Sequence, residues 1–266
     1  MSKDIDYSRD SIRQELDKLG LKDVKLSFFE EIGSTNTEMK ARCLSFGVPD
    51  EPSLFVARRQ SAGRGRLGRR FESPDAGIYM SLLFPYDFGG AQLTAYVAVM
   101  LAEAIEELSG LSPDIKWVND LYAGEKKLAG ILCEGIINPE TLKLSASVIG
   151  IGVNVLKTEF SKEVSEIATS VEEASGRVIS RPELVALITE KILKRLPTLS
   201  ESELMEKYKS KSNLLGEMLK ITRGDESFFA RAIDINEKAE LIVVKETGER
   251  LVLNSGEVSA KIKREI

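Results

Sequence analysis

Residues 142–155, LKLSASVIGIGVNV, decide how this chain folds. Leu142, Leu144, Ala146 and Val148 alternate with Lys143, Ser145 and Ser147. A period of two sends successive side chains to opposite faces, so Leu142 to Val155 is read as a strand in a sheet with one buried face. It closes on Gly150-Ile151-Gly152-Val153-Asn154. Two glycines this close in a strand mark either a bulge or a place where another group approaches the backbone.

Further strands lie upstream. Lys127 to Ile137 leads into the sheet through a turn at Asn138-Pro139-Glu140, and Asp114 to Val118, Gly77 to Pro85 and Ser53 to Ala57 have the same apolar make-up. Between them the spacing turns helical. Ile12, Leu16 and Leu19 form one stripe with Gly20 as its stop. Thr35 and Glu38 read as a capping box opening a helix that runs to Gly47, and Gln92 to Leu108 is an almost wholly apolar helix ended by Gly110. Helices are also predicted over Ser165 to Gly176, Ser180 to Leu196 and Ser200 to about Ser210, the last two opened by Ser-x-x-Glu pairs with Glu183 and Glu203. Past Asn213 only short strands remain: Met218 to Thr222, Ser227 to Ile235, Glu240 to Lys245, Arg250 to Asn254 and Val258 to Ile262. Gly224, Asn236 and Gly248 punctuate them, which predicts a small closed β-barrel. The expected organisation is an N-terminal helix over 1–24, an α+β domain with helices packed on a sheet over 25–212, and the barrel over 213–266.

With 42% apolar and 30% charged residues in 266, the chain can bury one large core and carry a small second domain. No run approaches the roughly 18 to 20 apolar residues that cross a bilayer, and MSKDIDYSRD lacks the pattern of a signal peptide, so a cytoplasmic, membrane-free protein is expected. Cys43 and Cys133 stand apart with no CxxC spacing and read as free thiols. There is no histidine. That removes Ser-His-Asp and Cys-His catalysis and leaves carboxylates, lysines, arginines and backbone amides to do any chemistry. A net charge of −5 argues against general nucleic-acid binding, so positive charge must act locally.

It is concentrated in residues 58–70, RRQSAGRGRLGRR, with six arginines, three glycines and no acid. A solvated basic loop is one reading. The glycines favour another, because Gly63, Gly65 and Gly68 let consecutive amides converge on an anion that guanidinium groups then grip. The loop is not a Walker A sequence, since no Gly-Lys-Ser/Thr follows, nor a dinucleotide fingerprint, since no helix is expected after the last glycine. Six like charges with no local acid are expected to lack partners until an anion arrives. Lys116-Trp117-Val118-Asn119-Asp120 ends a strand in a polar turn, and Lys127 opens the next either as a mere strand-end lysine or, beside Gly130, where a ligand can come close to the backbone.

The ordered set Ser34-Thr35-Asn36, Gln60 with Gly63-Arg64-Gly65-Arg66 and Arg69, Lys116-Trp117-x-Asn119-Asp120, Lys127-Leu-x-Gly-Ile-Leu-x-Glu134 and Gly-x-Gly152-x-Asn154 resembles the motif series of biotin protein ligases over about residues 25 to 266. Phe71 stands where these enzymes usually have tryptophan, and Val118 where proline is usual. The resemblance implies that 25–212 is a catalytic domain with a mixed sheet, like that of class II aminoacyl-tRNA synthetases, followed by an SH3-like barrel. It also implies ATP-dependent activation of biotin to biotinyl-5′-AMP and transfer to a lysine of a biotin carboxyl carrier protein domain of a carboxylase.

The same resemblance assigns residues. Ser34, Thr35 and Gln60 would bind the ureido ring, with Asn36, Gly63, Gly65 and Gly130 completing the biotin site. Lys127, Arg64 and Arg66 would neutralise carboxylate and α-phosphate as the catalytic cations. Arg66, Arg69, Lys116, Asn119 and Asn154 would hold ATP or the adenylate, and Asp120 would contact Mg²⁺ or the incoming amine. ATP and Mg²⁺ serve as co-substrate and ion, and no bound prosthetic group is implied. A homodimer is an open option and DNA is not an expected partner, because only about 25 residues precede the ligase region. A lipoate or octanoyl transferase of the same fold, or an RNA-binding module using the arginine loop and the barrel, are the rival readings.

Overall fold

The computed structural model describes residues 7–84, 90–138, 140–223, 226–254 and 257–259. Pro85, Pro139, Gly224 and the end of the last expected strand, residues 260–262, lie outside them. In chain order the elements are α1 (Arg9–Lys18), β1 (Lys25–Ile32), α2 (Thr35–Phe46), β2 (Ser53–Gln60), β3 (Gly77–Phe84), α3 (Gly90–Ser109), β4 (Asp114–Lys116), β5 (Asp120–Ala123), β6 (Lys126–Ile137) and β7 (Leu144–Asn154). The helices α4 (Lys162–Ser165), α5 (Val171–Ser175), α6 (Arg181–Glu190) and α7 (Glu201–Ser210) come next. The strands β8 (Met218–Arg223), β9 (Glu226–Ile235), β10 (Leu241–Lys245), β11 (Arg250–Leu253) and β12 (Glu257–Ser259) end the chain.

Seven strands form one sheet in the order β1-β2-β3-β7-β6-β5-β4. Among the described residues only the β1–β2 pair of this sheet runs parallel, so the sheet is mixed, as expected. Alternation sorts its two faces. Leu54 and Val56 of β2, Ile78, Met80 and Leu82 of β3, and Ile149, Ile151 and Val153 of β7 join the main core with α3 and α6. The intervening Phe55, Leu83 and Val148 face the other way and meet Met39 and Cys43 of α2. Leu93, Tyr96, Met100 and Ile105 of α3 are fully buried, as an all-apolar helix requires. One face is therefore thickly covered, and on the other a single twelve-residue helix, α2, forms the second core.

Three sequence expectations are corrected and one open alternative is settled. The N-cap of α2 is Ser34, whose hydroxyl accepts from the Thr37 amide, while Glu38 pairs with Arg42 instead of closing a box with Thr35. The helix expected over 165–176 is two short pieces, α4 and α5, with Lys127 bonded across the gap between them: its amide donates to Ile167 O and its carbonyl accepts from Thr169 N. Leu142 has φ 55° and belongs to the turn, where the Asn138 side chain accepts from the amides of Glu140 and Thr141, so β7 starts at Leu144. Gly150 and Gly152 are in unbroken register with β3 and β6, so they are not a bulge. Two strands were not read from sequence. β1 runs Phe28-Phe29-Glu30-Glu31 without alternation because it is a sheet edge, and the four-residue β5 hides in an Asn-Asp pair that favours turns.

The last five strands form an antiparallel sheet in the order β11-β10-β9-β8-β12. Leu253 and Glu257 therefore lie on opposite edges although four residues apart. A flat sheet would separate those edges by about 19 Å, whereas four residues reach about 14 Å, so the sheet must roll. It is seated on the first domain by Trp117, whose buried indole Nε1 donates to Ala239 O at 2.8 Å, and by Lys209 to Asp234 at 2.7 Å.

Candidate active site

A cavity of about 370 Å³ opens at the sheet's α2 side, beside the helix start. Its floor is a cross-strand row, Gly152–Gly130–Asp120, in which two facing glycines leave the sheet bare. A Cβ on Gly152 would come within 2.7 Å of the Phe71 ring, so this glycine admits Phe71 against the strand. The neighbouring row is Ser81–Gly150–Leu132. Gly150 is bare for a second reason: any Cβ there would collide with the Asn36 side chain, which lies across the row.

The neutral end is built by the start of α2. Ser34, Thr35 and Asn36 are nearly buried and line the cavity together with Gln60 at the end of β2. Gln60 Oε1 accepts from the Thr35 amide at 2.9 Å, and Gln60 Nε2 donates to Ser73 Oγ at 3.2 Å, which donates to Phe71 O at 3.0 Å. Asn36 Nδ2 donates to Leu132 O and to Glu134 Oε2, both at 3.0 Å, while Asn36 Oδ1 lies 2.6 Å from Ser81 Oγ. Asn36 thus spends its amide on the protein, so it sets the pose of Ser34 and Thr35 from behind.

The opposite end is cationic. Arg64, Arg66, Arg69, Arg70, Lys116 and Lys127 line the cavity, against the acids Asp120 and Glu72. Lys127 Nζ is 2.8 Å from Asp120 Oδ1 and 5.8 Å from the Phe71 ring centre. Asp120 Oδ1 also accepts from Asn119 Nδ2 at 3.0 Å, and Asn119 Oδ1 accepts from Arg66 Nη1 at 3.1 Å. Loop and strands are so joined by one line, Arg66–Asn119–Asp120–Lys127. Burial pushes the Lys116 ammonium below its ordinary value; Asp120 opposes this, and the positive Lys127 and Arg69 reinforce it. Asn154 sits on the wall with its amide donating to Thr169 O at 3.1 Å.

The arginine loop has partners of its own, contrary to expectation. It closes as a narrow hairpin, with Arg64 bridged to Arg70, Gly65 N donating to Arg69 O at 2.7 Å and Phe71 N to Gly63 O at 2.9 Å. Arg64 reaches Glu134 at 3.4 Å, Arg58 reaches Glu30 at 2.8 Å, and Arg59 reaches Glu31 at 3.7 Å. The acids that balance it come from β1 and β6, distant in sequence.

All the residues expected at the site except Gly63 line the cavity; Gly63 packs beneath it, where a Cβ would meet Phe71 O and Ser73 Oγ. The sequence reading missed Ser81, Ser73, Lys40 and Tyr122, and used Glu134 only as a motif position. For Ser81 the one signal was a hydroxyl amid the apolar residues of GIYMSLLFP. A Mg²⁺ ion brought in on a nucleotide needs one or two carboxylates beside the phosphates. Asp120 on the cationic wall fits that need, and no cluster of three metal-binding side chains exists among the described residues that would cage an ion by itself.

A mixed sheet whose strands and arginine loop place a neutral hydrogen-bonding pocket beside a cationic one defines an enzyme that holds an organic acid against a phosphate. Residues 28–154 match the biotin/lipoate A/B protein ligase family and residues 214–261 the biotin protein ligase C-terminal domain. The solved biotin protein ligase of Aquifex aeolicus, in complex with biotin and ATP, aligns with a TM-score of 0.75 at 31% identity, covering 88% of this chain and 97% of that one. The bifunctional ligase/repressor BirA of Bacillus subtilis is 30% identical over 83% of this chain and 70% of its own length. The biotin–[acetyl-CoA-carboxylase] ligase of Mycobacterium tuberculosis is 26% identical over 94% and 97%. The chain belongs to the biotin protein ligase family.

Proposed function

We propose that the chain joins biotin to ATP as biotinyl-5′-AMP, releasing diphosphate, and passes the biotinyl group to one lysine of a biotin carboxyl carrier protein domain. The observation that carries this is the division of one cavity. Ser34, Thr35 and Gln60 offer neutral hydrogen bonds of the kind a ureido ring takes, and Lys127, Arg66, Arg69 and Lys116 face the other end, where a carboxylate and an α-phosphate would meet.

In the first step a carboxylate oxygen of biotin attacks the α-phosphorus and diphosphate leaves. Two anions must approach, and charge moves onto the bridging and leaving oxygens. Lys127 and Arg66, held by Asp120 and Asn119, supply fixed positive charge there, which needs no reorganisation during the step. Mg²⁺, when bound, would offset further phosphate charge, with Asp120 as its protein contact. Arg64 would close over the acid, and Arg69 and Asn154 would hold the nucleotide. In the second step the carrier lysine, as free amine, attacks the acyl carbon; the acyl–phosphate C–O bond breaks, AMP departs with its electron pair, and the amine proton passes to solvent. Asp120 is the carboxylate beside which that amine would be positioned. No histidine takes part, consistent with the composition.

No helix among the described residues is long and apolar enough to cross a membrane; we place the reaction in the cytoplasm. ATP–diphosphate exchange tests the first step directly. Exchange that requires biotin is expected, and equal exchange with lipoate, or tight retention of RNA with no exchange, would replace this reading with one of its rivals.

A further inference from the structure

Ser81 lies in the middle of β3 with no exposed surface, 2.6 Å from Asn36 Oδ1 and 2.7 Å from Thr35 Oγ1. Its hydroxyl has one hydrogen for these two neighbours. Asn36 cannot be turned round, because its Nδ2 faces the Leu132 carbonyl and the Glu134 carboxylate, both acceptors, so Oδ1 must face Ser81 and has no hydrogen to give. The Ser81 hydrogen therefore goes to Asn36. Thr35 must then supply the hydrogen between the two hydroxyls, since otherwise two lone pairs would face each other at 2.7 Å. The competing acceptor, Gln60 Oε1, is 3.3 Å from Thr35 Oγ1 and already receives the Thr35 amide.

We infer that Ser81 is a specificity-determining residue: through Asn36 and Glu134 it commits the Thr35 hydrogen inward, so that Thr35 presents only lone pairs to the cavity. The direction runs unbroken from the cavity to an anion, Thr35 to Ser81 to Asn36 to Glu134, and Lys40 at 2.9 Å holds that anion in place. The ligand group opposite Thr35 must then be a hydrogen-bond donor. A ureido N–H qualifies; a ring oxygen does not. Ser34 complements this, for its oxygen accepts from Thr37 N at 3.5 Å and its own hydrogen is left to donate to a carbonyl. Ser81 touches no substrate in this arrangement and acts only through Thr35.

The inference rests on biotin being the acid bound here, and the test separates the two. Binding of biotin, and of the two cyclic carbamate analogues in which one ureido N–H is replaced by oxygen, is measured by calorimetry on the full chain and its Ser81→Ala and Ser81→Cys variants. The wild type should bind biotin and reject one carbamate by at least about 100-fold, because an acceptor would be left facing an acceptor. In Ser81→Ala the Thr35 hydrogen is released. Biotin should weaken about 10-fold, the rejected carbamate should regain about 10-fold, and the KM for biotin in diphosphate exchange should rise while kcat changes less than 3-fold. Ser81→Cys, of similar shape with a weaker donor, should fall between, and it decides the matter if the alanine variant does not fold. An unchanged ratio of biotin to carbamate in the variants overturns the role of Ser81, since a merely structural serine would shift all ligands alike. Failure of the wild type to bind biotin at all overturns the biotin reading itself.

Discussion

Lys127 Nζ and Asp120 Oδ1 form a 2.8 Å ion pair at the cationic end of the cavity, and Asn119 donates to the same carboxylate oxygen. A lysine held by such a pair is fixed before any substrate arrives, which is the condition for a charge to stabilise a transition state without rearranging.

Lys127→Ala should accordingly lower the rate of adenylate formation by about 10² to 10³, with a much smaller effect on biotin affinity, because the neutral end of the cavity is untouched. Rapid-quench measurement of biotinyl-5′-AMP checks this. Normal adenylation in the variant would show that Lys127 is not the catalytic cation.

Arg66 comes from the loop and is steadied by Asn119 at 3.1 Å; in the proposed reaction it retains the finished adenylate as well as helping to form it. Arg66→Ala should form adenylate yet release it about 10-fold faster or more, labelling bystander lysines. The adenylate dissociation rate and the labelling of an added unrelated protein are the readouts, and a dissociation rate equal to wild type would refute the retention role.

Gly152 is bare so that Phe71 can lie on the strand. Gly152→Ala should push the ring into the cavity and weaken biotin binding about 10-fold or more at little cost in stability, since an aromatic ring end can move. Phe71→Ala weakens binding alone, but adding Gly152→Ala to it should cost almost nothing further. A double variant whose losses simply add would disprove this contact.

Burial alone would raise the Glu134 carboxyl, but hydrogen bonds from Lys40 and Asn36 and the charges of Lys40 and Arg64 outweigh it and hold the pKa below its ordinary value. A carboxylate with a depressed folded-state pKa adds stability above its unfolded value, about 4.3, and loses it as pH falls through the lower folded value. Glu134→Gln should therefore cost about 1 to 3 kcal/mol at pH 7 and progressively less below about pH 4.3. Urea unfolding from pH 7 to 3 gives the two curves, and parallel curves would show that Glu134 is not held ionised by these partners.

What the sequence determined by itself is local in origin. The alternation through Ala146 and Val148, the apolar stretch of α3 and the change to short strands after Asn213 gave a sheet strand with one buried face, a buried helix and the small β-domain, because each depends on a period within one segment, whereas the parallel β1–β2 pair that makes the sheet mixed did not show there. The arginine loop was legible as an anion site because glycine spacing and charge are properties of the chain alone, while the role of Lys127 came only from the resemblance. Tertiary structure decided the rest. Gly150 and Gly152 could be a bulge or an approach site until Asn36 and Phe71 were seen lying on them. The arginines have acids, but Glu30, Glu31 and Glu134 reach them from other strands. Ser81 was one hydroxyl in an apolar strand, and its meaning depends on which of two neighbours, 45 and 46 residues away, can give a hydrogen. Hydrogen-bond direction is fixed by all partners of a group together, and only the folded chain assembles them.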